Sequence, residues 1–438
     1  MTQEELINKT EVIKRSEEIA LYSRTIATST SRGLVQPFVS MIALTMGASS
    51  GLLGWIQSIS NLLATFLGPI FGRLSDLVKR RIPFIVISTI SWGIPYAFLF
   101  FAKLPWIIVI IVALVNLLFS LGSPAWAALQ NELFPQEVRG KLTGRVVWFD
   151  SIGSMVATIF TGIILTLAFE DIDYQKYILI PVAIGVFLSI LGVLPFRKIE
   201  EPLKEVAAEE LPESRKLKES FQIAFSNKPF LKFTIISVIY SFFFSFAWPL
   251  FSIFQVKILN ATALEIAILA IIFNISTLLI INVGAKLSDR IGRTKLIFFN
   301  RISLALFPLT YIFATEVWHL YIIHFGVGLL MLLGTPSIQA YLLDIIPKKE
   351  GGIYFGIYNM ITGAVLFLGA LAGGYLTELF EIWYPLRIAV IISLAIATAG
   401  RIITSFLFLA VKEEKKFPST WSEIWNQLLR RKRMEPPI

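Results

Sequence analysis

The chain has no cysteine and only two histidines in 438 residues. Disulfides and thiolate metal sites are therefore excluded, and two imidazoles are too few for a histidine-ligated cluster. Neither a metal nor a cofactor is expected. Charge is also scarce: Asp, Glu, Lys and Arg together make up 16% of the chain, against about 25% in ordinary soluble domains. No phosphate-cradling GxxxxGK loop is present, which argues against ATP-driven work by this chain. No nucleophile, base and orienting group stand in a constellation that would make it an enzyme. What the sequence does hold is apolar surface, with 55% hydrophobic residues and a mean hydropathy of +0.72. Such a chain belongs in a bilayer.

A helix that crosses a membrane needs about 20 mostly apolar residues. Runs of that kind recur at 23–47, 51–75, 82–102, 105–133, 140–168, 175–196, 231–257, 262–287, 295–315, 317–345, 352–379 and 383–411. An all-α integral membrane protein with twelve transmembrane helices is the fold this predicts. The polar residues 1–22 lack the apolar core and small-residue cleavage site of a signal peptide, so the first span is expected to be retained.

The formal charge of +9 is distributed in short clusters between the apolar runs, a pattern that suits anionic lipid headgroups rather than nucleic acid. With alternating helices, Lys79, Arg80, Arg81, Arg139, Lys141, Arg290, Arg293, Lys348 and Lys349 fall on one side, and mainly Lys103, Lys176 and Arg387 on the other. The positive-inside rule then places both termini in the cytoplasm, and a multi-pass protein of the plasma membrane is expected. The charged, proline-punctuated stretch 198–230 separates the bundles 23–197 and 231–411, leaving 1–22 and 412–438 as cytoplasmic ends. Leu217, Phe221, Ala224 and Phe225 predict an amphipathic helix on the inner surface at the end of this linker. Trp421, Ile424, Trp425 and Leu428 predict another in the tail, with Thr420 and Glu423 as its capping box.

"GRLSDLVKRR" at 72–81 is echoed by "AKLSDRIGRT" at 285–294. At a shift of 212 residues, Pro37 falls on Pro249, Gly122 on Gly334, Pro124 on Pro336, Glu132 on Asp344, Gly140 on Gly352, Gly144 on Gly356 and Gly162 on Gly374. Two six-helix halves facing the same way, with a substrate site between them near the midplane, would produce this register. The loop also resembles the signature of the major facilitator superfamily, Gly-x-Leu-x-Asp-Arg-x-Gly-Arg-Arg/Lys. Gly72, Leu74, Asp76, Arg80 and Arg81 match in the first copy, and Leu287, Asp289, Arg290, Gly292 and Arg293 in the second. The resemblance implies two pseudo-symmetric six-helix bundles and secondary transport by alternating access. The arginine that many proton-coupled members carry in the fourth helix has no counterpart in "VNLLFSLG".

Six residues are expected to form a breakable cytoplasmic gate: Asp76, Arg80, Glu132, Asp289, Arg293 and Asp344. A charge contact near the headgroup boundary is specific and still separable. Gly122 with Pro124, and Gly334 with Pro336, would let the fourth and tenth helices bend. Arg32 and Asp150 lie at one depth in the first and fifth spans, and their repeat partners are Phe244 and Thr362, so the scaffold does not itself require charge there. We expect them to pair in the substrate and proton pathway, opening when substrate or a proton competes; a purely structural pair is the alternative. The resemblance adds Gln36, Asn116, Tyr240, Trp248 and His324 to that pathway, with Gln255, Tyr321 and Gln339 beside them. Arg301 and Arg401 are expected to snorkel to the inner surface. The functional expectation is a monomeric, proton-coupled exporter of small amphipathic organic molecules. A sugar or organic-acid uptake permease, a lipid flippase or a transport-dead receptor on the same fold are the alternatives.

Overall fold

The computed structural model describes residues 15–78, 80–135, 138–167, 174–199, 217–347 and 350–413, with the side chains of 64, 174–177, 217–218, 280–291, 332–333 and 335 outside that description. The amphipathic tail helix, most of the linker and the first fourteen residues of the N-terminal segment lie outside the described residues.

The helices in chain order are α1 (Arg15–Val35, resuming as Val39–Thr45), α2 (Ser50–Val78), α3 (Ile82–Ile90, extended by a 3-10 stretch Ile94–Phe101), α4 (Pro105–Leu133), α5 (Arg139–Leu167) and α6 (Tyr174–Leu191). After a short linker helix (Leu217–Ser226) come α7 (Lys228–Phe246, resuming as Trp248–Ile253), α8 (Ala263–Ile291), α9 (Arg293–Ala305, resuming as Phe307–Ile312), α10 (Val317–Ile345), α11 (Gly351–Glu381) and α12 (Leu386–Leu407). Among the described residues, nine helices are long and apolar enough to cross a membrane, and α8 adds a shorter apolar stretch, Ala263–Leu279. The first helix is not one of the nine, for a packing reason. Its Arg24, Thr25, Thr28, Ser29 and Ser31 are buried in the protein, and Ser31 donates to the carbonyls of Trp92 at 3.1 Å and Gly185 at 2.8 Å. A helix wrapped by its neighbours need not be apolar all round. It also begins at Arg15, well before the expected span.

Proline sets the breaks. Pro37 stands in a 3-10 turn at Gln36–Phe38, and its repeat partner Pro249 follows the break at Ala247 in α7. Each ring removes a backbone donor and crowds the preceding turn, so the helix bends at the matched place in each half.

The buried apolar residues divide in a way that reveals the shape. One cluster joins both halves, running from Leu34, Phe38 and Leu53 through Val112 to Leu250, Ala267 and Leu394. At the end bearing the loop motif the core splits in two. Leu21, Ile85, Leu129 and Phe134 belong to the first half, and Phe230, Tyr240, Tyr341 and Phe408 to the second. The two clusters share no residue. Outward-facing Phe101, Trp106, Ile110, Phe187, Phe313 and Ile322 are exposed, as a lipid-facing belt requires. The linker helix packs Ala224 into the second half's core, with Phe221 and Phe225 beside it, so its apolar stripe meets protein.

Candidate functional site

At the far end, opposite the motif, α2 lies against α11. A Cβ on Gly54 would stand 2.9 Å from the Ala370 carbonyl oxygen, and one on Gly374 would stand 2.5 Å from that of Ser50. Glycine lets the two backbones meet. Ser58 Oγ donates to the Phe367 carbonyl at 3.0 Å and Trp55 Nε1 to the Tyr375 hydroxyl at 2.9 Å. The Gly51 N–H and the Ser49 hydroxyl both donate to Glu378, at 2.9 and 3.0 Å, and Ser50 donates to Glu381. Thus carboxylates of one half cap the N-terminus of a helix in the other, where the helix dipole favours negative charge. The Leu264 N–H donates to Thr166 Oγ1 at 2.8 Å, tying α8 to α5. At the motif end, a Cβ on Gly140, Gly144, Gly352 or Gly356 would meet nothing within 4 Å. The contacts between the halves named above lie at the end away from the motif.

In the first half, Arg32 donates to Asp150 Oδ2 at 2.6 Å, with 27% and 39% of the two side chains exposed. Both side chains of the pair are therefore only partly buried. About two turns towards the motif, Arg24 is buried, lies 4.1 Å from the Trp126 ring centroid and donates from Nε to Thr89 Oγ1 at 3.1 Å. Sequence reasoning passed over Arg24 because it falls at the edge of the span expected from 23. The signal was available in its neighbours, since "RTIATSTSR" places hydroxyls on successive turns of a helix between two cations.

In the second half neither arginine snorkels, which corrects the expectation. Arg401 is 1% exposed, with Nε on the Phe243 carbonyl at 3.1 Å, one terminal nitrogen on Leu304 O at 3.1 Å and the other on Phe244 O at 2.6 Å. These carbonyls lie in the last turns of the two segments that end at Phe246 and Ala305, where helices leave acceptors unmatched. Arg401 therefore caps the breaks in α7 and α9 together. Arg301 stacks its guanidinium 4.4 Å from the Tyr240 ring centroid, and its buried Nε has no hydrogen-bond partner among the described residues. It lines a cavity of about 240 Å³ with Phe244, Gln339, Tyr358 and Asn359.

The family model of the Major Facilitator Superfamily matches residues 25–253 and 233–434. The chain belongs to that superfamily. An uncharacterised MFS-type transporter of Methanocaldococcus jannaschii is 22% identical over 357 residues, covering 80% of this chain and 85% of that protein. The class H tetracycline resistance protein of Pasteurella multocida is 28% identical over 120 residues, covering 27% of this chain and 30% of its own length. A crystal structure of a variant of the nucleoside transporter NupG superposes with a TM-score of 0.76 at 14% identity, covering 91% of this chain and 100% of that one.

In this superfamily member the loop motif makes contacts within each half. Arg81 reaches Asp76, and Glu132 at 3.2 Å. Arg293 pairs with Asp344 and donates to the Ala340 carbonyl. Arg81 and Glu132 fall on Arg293 and Asp344 at the shift of 212, so the same bridge occurs twice. The gate expectation named Arg80 instead. Arg80 is exposed and forms no ion pair among the described residues, whereas Arg81 sits at the N-cap of α3 and is turned back towards α2. The side chain of Asp289 lies outside the described residues. Arg81→Ala is expected to lower stability by about 1–3 kcal/mol, the usual value of charged hydrogen bonds, and Arg80→Ala to stay within about 0.5 kcal/mol. Thermal unfolding of the purified variants checks the difference, and equal losses would remove Arg81's bridging role.

The remaining candidates divide. Gln36 is exposed at the break in α1. Asn116 donates to Ser60 at 3.0 Å and to Val112 O at 2.8 Å, tying α4 to α2. Tyr240 is fully buried and donates to the Arg301 carbonyl at 3.0 Å, and Trp248 packs edge-on against Phe244. Gln255 donates to the Tyr311 hydroxyl at 2.8 Å. That hydroxyl has its own proton to give, and His324 Nε2 is 3.3 Å away. On the other side of the ring Nδ1–H donates to Leu320 O at 2.9 Å, so the imidazole is held from both sides.

Proposed function

We propose that this protein is a secondary active transporter that moves a small organic solute by alternating access, coupled to protons and working as an exporter of amphipathic molecules. The observation that carries the reading is the Arg32–Asp150 pair, partly exposed within a two-bundle fold whose halves share one core at the far end. A carboxylate that is paired yet wetted can trade its arginine for a proton, and the released arginine can trade it for solute, so one site couples two ligands. The cations of the motif end support, through the positive-inside rule, a cytoplasmic position for that end, so the site would load from inside. Aromatic residues of α7, including Phe244 and Trp248, suit an amphipathic passenger.

Asp150→Asn is expected to abolish pH-gradient-driven flux in proteoliposomes while counterflow exchange persists, with a solute chosen by ligand-induced thermal shift. Full gradient-driven flux in that variant would remove Asp150 as the coupling group. Wild-type flux that ignores the gradient would leave a facilitator. Because both side chains are partly solvated, the lost pair should cost only about 1 kcal/mol of stability.

A further inference from the structure

The described charges in the middle of the helices are unbalanced. Arg24, Arg32, Arg301 and Arg401 face one carboxylate, Asp150. The first half thus supplies an acid of its own. In the second half the repeat partner of Asp150 is Thr362, whose hydroxyl is already bonded to the Tyr358 carbonyl at 2.7 Å. Arg401 is satisfied by three backbone carbonyls. Arg301 is not: its Nε is buried and has no hydrogen-bond partner among the described residues. The residues lining the cavity it faces include no acid. The side-chain amides of Gln339 and Asn359 stand at the same cavity and are exposed. A guanidinium held between helices without a counter-ion is costly, and an anion delivered from outside relieves that cost.

We propose that Arg301 is the anion-binding residue of the substrate site and that the transported solute is an amphipathic organic anion. Its carboxylate or phosphate group meets Arg301 and the amides of Gln339 and Asn359, and its apolar part lies against Phe244 and Tyr358. The cavity of about 240 Å³ admits a ring bearing one acid group and sits just below the range of about 300–1,000 Å³ typical of drug-sized sites. The proposal rests on the transport reading for the word substrate, but it can be tested at equilibrium, without a gradient.

Benzoate, phenyl phosphate and the neutral isostere benzamide would be titrated into purified protein by calorimetry at fixed ionic strength and pH. Wild type is expected to bind at least one anion about tenfold or more tightly than benzamide, and the better anion identifies carboxylate or phosphate as the preferred group. Arg301→Gln should lose that preference, about 10- to 100-fold in the anion's affinity and little in benzamide's. Arg301→Lys should keep part of it. Equal binding of anions and amide in wild type would overturn the proposal without any variant, and so would a preference that survives in Arg301→Gln. If Arg301→Gln gives no monodisperse folded protein, Gln339→Leu with Asn359→Leu takes its place and must weaken the anion selectively. Selective binding together with flux that ignores the pH gradient would sustain this inference and sink the proton-coupled reading; the reverse combination would do the opposite.

Discussion

Gly374→Leu is expected to abolish transport. A Cβ at this position would stand 2.5 Å from the Ser50 carbonyl oxygen and 3.0 Å from Gly54 Cα. Both neighbours are backbone, so neither can move aside as a flexible side chain would. Overpacking a tight contact costs about 1–3 kcal/mol, and at the upper end the conformer closed at the far end loses roughly 100-fold in population. A transporter that cannot seal one end cannot complete a cycle. Spin labels placed across the far ends of α2 and α11 should report longer distances in the variant, and flux should fall with them. Gly140→Leu provides the contrast. Position 140 meets nothing in this conformer, so the far-end distances should not change, and any loss of flux would come from the state in which the motif end closes. An unchanged distance distribution in Gly374→Leu would remove the α2–α11 seam from gating.

Arg401→Leu is expected to give the largest loss of stability, about 3 kcal/mol. The substitution removes a buried charge, which is favourable, but strands three acceptors in the last turns of two helix segments. Each unsatisfied buried carbonyl costs about 1–3 kcal/mol, and relief of the charge's own desolvation offsets part of the sum. Arg401→Lys should rescue little, because a single ammonium cannot span acceptors on both α7 and α9 as the planar guanidinium does. Thermal unfolding in detergent, with ligand-free protein, measures both variants. A change within about 0.5 kcal/mol for Arg401→Leu would show that water reaches these carbonyls and that the arginine does not hold the breaks.

The sequence by itself determined the membrane setting, the all-helical class, the repeat and the superfamily, because each depends on patterns that survive in one dimension. Hydrophobic length follows from bilayer thickness, and a duplicated register is visible wherever glycine, proline and acid recur at one spacing. The depth argument also singled out Arg32 and Asp150, since charge inside an apolar run is costly wherever the run packs. Only the tertiary structure decided which neighbour each charge meets. Arg80 and Arg81 are adjacent letters, and the turn at the start of α3 sends Arg81 to Asp76 and Glu132 while leaving Arg80 in solvent. Arg301 and Arg401 both lie in apolar runs, yet one is stacked on a ring with an unpartnered nitrogen and the other caps two broken helices. Partners 61 to 158 residues apart in the chain cannot be read from local spacing. A charge's burial cost is a property of its own position, whereas its compensation depends on which distant backbone or side-chain atoms folding brings within about 3 Å.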